Sequence, residues 1–223
     1  AITHWHWDHV FGIAELEVPV FAHRLTSREI RRMAELDWSD AALQQRVAEG
    51  SEIEFCREHM LVELNPEERR TLILRPPDIA FESEVEIDLG GVTARLVHVG
   101  GDHSADSSVV FIPEDGVVFL GDCLYSNLHH QPPCYTPRLL FPLLDRLLGL
   151  EAAWYFPSHQ ETPLSRSALE ADAALLRCLG DAFEKGAGLE AMKAAASQRF
   201  PSAEAQDIEY YAACFLAGET PAP

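Results

Sequence analysis

From Val85 onward the chain alternates apolar and polar residues in short runs, the two-residue period of strands that bury one face. Val85-Glu86-Ile87-Asp88-Leu89 alternates cleanly, Gly90-Gly91 predicts a hairpin turn, and Val92 to Val99 returns. Ser107 to Ile112 and Val117 to Leu120 form a second predicted pair, joined by the turn signal Pro113-Glu114-Asp115-Gly116. The apolar stretch from Leu139 to Phe156 is broken by Asp145, Arg146 and Glu151, and reads as a helix followed by a strand. Upstream, Val18 to Ala22 predicts a short strand, and the period then becomes helical. Thr26-Ser27-Arg28-Glu29 predicts a capping box opening a helix to about Leu36. Ser39 caps a second helix that Gly50 ends, Ile53 to Leu64 carries a third, and Asn65-Pro66 opens a short fourth. Thr71 to Arg75 reads as a strand. Beyond His159 three helices are predicted, over Ser165–Phe183, Leu189–Gln198 and Ala203–Leu216.

This order predicts one α/β catalytic domain over residues 1–162, with a helical insert at about 24–70. Residues 163–223 form a C-terminal helical segment of the same domain. That segment carries no chemical motif, and serves either to cover the sheet or as a contact between copies in a homo-oligomer. The insert either shapes access to a site or only covers the sheet.

Composition narrows the field of partners. The 223 residues, 47% of them apolar, suffice for one domain with a sizeable core. A formal charge of −19 argues against nucleic acid, whose recognition rests on clustered Lys and Arg. No stretch is apolar enough to cross a membrane. The five cysteines, Cys56, Cys123, Cys134, Cys178 and Cys214, form no CxxC pair, which suggests reduced thiols and a cytoplasmic location. A small molecule is the expected partner.

The candidate chemistry lies at the start of the chain. Thr3-His4-Trp5-His6-Trp7-Asp8-His9 gathers metal-binding side chains and runs into the apolar Val10-Phe11-Gly12-Ile13, as a solvated His-rich loop or a tag does not. In extended backbone, residues i and i+2 share a face, so His4 and His6 can grip one cation together. Asp8 and His9 follow at a turn and can reach a second. Imidazole and carboxylate suit zinc, manganese or iron. Further candidates sit at predicted strand ends: His103 in Gly100-Gly101-Asp102-His103-Ser104, Asp122 after Gly121, and His159 after Ser158. Singly, each reads as a turn residue or a solvated histidine.

Taken in order, the HxHxDH block, a loop His, a strand-terminal Gly-Asp and a final loop His resemble the metallo-β-lactamase fold hydrolases, over residues 1 to about 162. The resemblance implies an αββα sandwich. It implies that His4, His6 and His103 hold one metal, that Asp8, His9 and His159 hold a second, and that Asp122 bridges both. The implied cofactors are two zinc ions per chain, with iron or manganese as alternatives. Cys123 resembles the cysteine ligand of one lactamase subclass, but alignment of the preceding strand puts Asp122 at that position and leaves Cys123 as a packed neighbour. The family also carries strands before the HxHxDH block. Here the chain begins at Ala1, and the expectation is a sandwich lacking its N-terminal strands, with an edge and an apolar face uncovered.

The implied reaction is metal-dependent hydrolysis of a small-molecule ester, lactone or thioester. Two adjacent cations lower the pKa of a shared water, and Asp8 orients it. Tyr125, three residues after Asp122, is spaced like the tyrosine that donates to the oxyanion in acyl-homoserine lactonases; the alternative is that it simply packs. The β-lactamases of the cysteine-ligand subclass carry a lysine at that place, which argues against carbapenem hydrolysis as the main activity. Glyoxalase-II-like thioester hydrolysis fits the ligand set equally, although the C-terminal helices show no basic cluster for an anionic thiol carrier. The alternatives are phosphodiester or β-lactam hydrolysis, or a mononuclear iron oxygenase of the persulfide-dioxygenase type. His23 and His98 read as structural or as supports behind the ligands, His59 as solvated, and Asn127, His129 and His130, on the loop of Tyr125, as candidate contacts to substrate.

Overall fold

The computed structural model describes residues 1–218. The end of the predicted C-terminal segment, residues 219–223, lies outside the described residues. The chain forms two compact units, Ala1–Glu82 and the part from Ser83 onward.

In the first unit the HxHxDH block spans a change of backbone. His6 is extended (φ −59°, ψ 148°), and the one-turn helix α1 (Trp7–Val10) begins immediately after it. A 3-10 turn (Ile13–Glu15) leads on to β1 (Phe21–His23). Helices α2 (Arg24–Met33), α3 (Asp40–Ala48), α4 (Glu54–Glu63) and α5 (Pro66–Arg70) follow, and β2 (Ile79–Phe81) pairs with β1 in parallel. The amide of Ile2 donates to Phe21 O at 2.8 Å, which ties the segment leading into the HxHxDH block to β1. Val10, Ile13, Ile30, Met33, Trp38, Leu43 and Met60 make the core of this unit.

Two expectations fail here. The helix expected from Thr26 begins at Arg24, and its cap is His23, whose Nδ1 accepts from Leu25 N at 3.4 Å. Thr26 and Ser27 are buried inside the first turns instead of capping them. Thr71 to Arg75 forms no strand, although the alternation is real: Leu74 is buried and Ile73 exposed. Pro76 and Pro77 lack the amides a ladder needs, so pairing starts only after them, where Asp78 N and Ile79 N both donate to Val20 O. The other predicted helices form. Ser39 Oγ caps α3, and Asn65 and Glu68 build a reciprocal capping box at α5.

The second unit is a six-stranded sheet in the order β3 (Glu84–Asp88), β4 (Thr93–His98), β5 (Ser108–Ile112), β6 (Val117–Gly121), β7 (Trp154–Pro157) and β8 (Leu164–Ser165). Pairing is antiparallel except between β6 and β7. Helices α6 (Pro137–Gly149), α7 (Arg166–Glu184), α8 (Leu189–Arg199) and α9 (Ala205–Ala217) complete it. Val97, Val109, Phe111, Val118, Leu120 and Tyr155 line one face and share a core with Leu140, Leu144, Leu176 and Phe215 of the helices. On the other face Phe119 and Trp154 stay 46% and 47% exposed, and the ring of Phe119 lies tilted against that of its register partner Phe156.

The parallel β6–β7 pair positions the site. Because the two strands run the same way, their C-terminal ends lie side by side, and Asp122 and His159 follow directly from them. Ser158 N donates to Gly121 O at 3.0 Å and extends that pairing past the strands.

Candidate metal centre

The first unit gathers four of the expected ligands. His4 is 1% exposed, and its ring lies 4.5 Å from that of His6 and 4.2 Å from that of His9, centroid to centroid. Thr3 Oγ1 sits 3.1 Å from His4 Nδ1. Asp8 Oδ2 is 3.3 Å from His9 Nε2. The extended stretch gives His4 and His6 their common face, and the first turn of α1 brings in Asp8 and His9.

The second unit gathers the other three. Asp122 Oδ2 lies 3.5 Å from His103 Nε2 and 3.3 Å from His159 Nε2, so one buried carboxylate stands between two imidazoles. His103 comes from the loop after β4. Val99 N and Gly100 N both donate to Ser107 O, and His98 Nε2–H donates to Ala105 O at 2.9 Å, which braces the loop from below. Gly101 (φ +127°) cannot be replaced cheaply, since a Cβ there would lie 3.1 Å from Leu143 Cδ2 and 3.2 Å from Cys123 O. Asp102, beside His103, turns away from it: its Oδ1 accepts from Thr136 N at 3.0 Å and from Thr136 Oγ1 at 2.7 Å. His159 adopts φ +61°, a conformation costly for a residue with a Cβ and typical of functional loops.

Tyr125 is near both histidines of this unit, its ring 6.1 Å from that of His103 and 6.4 Å from that of His159. Its hydroxyl donates to Ser158 O. Burial raises its pKa, so the phenol remains protonated. Cys123 is buried, and desolvation and then the neighbouring Asp122 push its thiol far up, as for a packed neighbour.

Most of the other histidines are structural. His23 Nε2–H donates to Glu82 O at 2.8 Å while capping α2, and His59 Nδ1–H donates to Phe55 O on an exposed helix face. Asn127 Oδ1 accepts from the amides of His129 and His130, and His130 Nδ1–H donates to Pro132 O, so these polar groups shape their own loop.

Sequence reasoning missed Ser126. His103 Nδ1 meets Ser126 O at 3.2 Å, and Ser126 Oγ meets Tyr210 Oη at 2.7 Å. Both contacts are distant in sequence, and neither residue belongs to a motif. Only Asp102, inside the Gly-Gly-Asp-His run, carried a local signal.

Within each unit, imidazoles and carboxylates face one another at short range with no thiolate among them. Such a donor set fits a borderline or hard divalent cation better than a soft one.

The chain belongs to the metallo-beta-lactamase superfamily, whose sequence model matches residues 1–159, the span that holds all seven candidate ligands. Its fold is the mixed α/β fold of that superfamily. A metallo-beta-lactamase family protein from Thermus thermophilus matches with a TM-score of 0.52 at 19% identity, over 96% of this chain and 70% of its own length. A metallo-beta-lactamase from Pontibacter korlensis matches at 0.49 and 23% identity, over 78% of this chain and 66% of its own. An archaeal superfamily protein from Sulfolobus tokodaii matches at 0.49 and 20%, over 78% and 65%. The chain thus spans just under two thirds of the length of the last two. No curated protein matches it.

Proposed function

We propose that the protein is a dinuclear metal-dependent hydrolase of a small-molecule ester, lactone or thioester. The observation that carries this reading is the Asp122 carboxylate held between His103 and His159. By the pattern of the superfamily, His4, His6 and His103 would hold one cation, Asp8, His9 and His159 would hold a second, and Asp122 would serve both. Zinc is the metal this donor set favours, with iron and manganese next. The chemistry that metal bound there would supply is an activated water near neutral pH and polarisation of a scissile carbonyl.

The chain's own groups do the remaining work. Asp8, fixed in the first turn of α1 beside His9, orients the attacking water. The imidazoles stay neutral to ligate, so acid that protonates them removes the site. Tyr125 braces the His159 loop through Ser158 O, and can donate to an oxyanion only by giving up that bond, since a phenol has one proton.

Elemental analysis of protein purified without added metal tests the proposal. Close to two equivalents of zinc, with turnover of a lactone or thioester panel that Asp122→Asn lowers at least a hundredfold, is the expected result. One iron per chain with oxygen consumption overturns it in favour of oxygen chemistry. A folded sample that takes up no metal overturns the catalytic reading altogether.

A further inference from the structure

The C-terminal helices carry no motif, yet α9 reaches the candidate site through two hydrogen bonds. A main-chain carbonyl can only accept, so the 3.2 Å contact between His103 Nδ1 and Ser126 O requires a proton on Nδ1. In the neutral ring this selects the tautomer in which Nε2, the nitrogen facing Asp122, presents its lone pair. The orientation of His103 therefore depends on where the Ser126 carbonyl points.

Ser126 is 1% exposed and lies between two anchored stretches: Tyr125 N donates to Asp122 O, and Asn127 pairs with Cys134. What holds Ser126 from the other side is α9. Its Oγ bonds Tyr210 Oη at 2.7 Å, and Cys214, one turn further along the helix, hydrogen-bonds both groups. The same stretch is tied to α9 again where Tyr135 N donates to Cys214 O at 3.1 Å. Two hydroxyls and a thiol are a costly way to dock a helix whose buried side chains are otherwise mainly apolar, unless the direction of the bond matters.

We propose that Tyr210 and Ser126 are positioning residues for His103, through which helix α9 sets the tautomer and ring orientation of a metal ligand. The tautomer part stands on the protein alone; the consequence for metal rests on the function proposed above.

The test uses the full-length protein with Tyr210→Phe, Ser126→Ala, the double variant and Ser126→Thr. Long-range proton–nitrogen NMR of the metal-free protein reads the His103 ring directly. The wild type is expected to show a slowly exchanging Nδ1–H. Tyr210→Phe and Ser126→Ala are each expected to speed its exchange about tenfold, and in zinc titrations to weaken affinity by roughly 10-fold or more, the usual size of an effect transmitted through a ligand's hydrogen-bond partner. The double variant is expected to be no worse than either single one, and Ser126→Thr to restore both readouts. Variants that lose thermal stability but keep the Nδ1–H signal and zinc affinity overturn the proposal, as do effects that simply add. If the wild type binds no zinc, the metal reading falls, while the ring signal still decides whether α9 positions His103.

Discussion

Tyr125 gives its hydroxyl proton to the main-chain oxygen of Ser158, the residue immediately before His159. The bond joins the loop after β6 to the loop after β7, and it commits the one donor that the sequence suggests for an oxyanion. Tyr125→Phe is therefore expected to cost about 1 kcal/mol of stability, the net worth of a partly buried hydrogen bond. It is also expected to weaken metal uptake through a loosened His159 loop. Urea denaturation and metal titration check this. Unchanged stability with a thousandfold loss of turnover would instead make Tyr125 the oxyanion donor.

Gly101→Ala is expected to destabilise by about 2 kcal/mol or more. Two costs act together: the residue sits at φ +127°, and its Cβ would press on Leu143 and on the carbonyl of Cys123. The backbone oxygen cannot rotate aside as the leucine can. A lower denaturation midpoint with an unchanged urea dependence is the expected signature. A midpoint equal to wild type would show that the His103 loop relaxes freely.

The five thiols are expected to separate under alkylation. Burial pushes Cys56 up to about 12 and Cys134 up to about 11, and raises Cys123 and Cys214 as well. Thiolate is the reacting form, so these four should resist iodoacetamide at neutral pH in the native protein, and Cys178, half-buried on α7, should label first. Mass spectrometry of a time course reads the order. Rapid native labelling at Cys123 would contradict its place in the core beside Asp122.

Strands β3 to β6 were legible because their less exposed residues fall largely on one face, so period-two alternation survives in the sequence from Val85 to Val99 and again from Ser107 to Leu120, whereas the two-residue β8 left no such pattern. The candidate ligands from His4 to His159 could be named from the sequence because their chemistry is concentrated in short motifs. In the first unit the signals misled where local and non-local demands differ. Thr26 and Ser27 look like a cap but are buried, because His23 already caps α2 while bonding Glu82 O. The alternation of Thr71 to Arg75 marks packing without a ladder. The Ser126–Tyr210 bond left no trace, since it joins residues 84 positions apart by hydroxyls that any solvated serine or tyrosine also carries.

Asp172 sets a pH dependence opposite to that of most carboxylates. It lies on α7, where desolvation first and Asp207 of α9 second raise its pKa above the ordinary 3.8. The folded state therefore holds the proton more tightly than the unfolded state. By linkage this contribution to stability is fully present below pH 3.8 and is lost as pH rises through the folded-state pKa. At neutral pH the ionised group is a net cost. Asp172→Asn keeps the shape and removes the charge, so it is expected to be more stable than wild type at pH 7, with the advantage shrinking as the pH falls. Urea midpoints of both proteins across the acid-to-neutral range measure the effect. An advantage that stays constant with pH would mean that Asp172 carries the same charge in both states, and that the gain comes from packing alone.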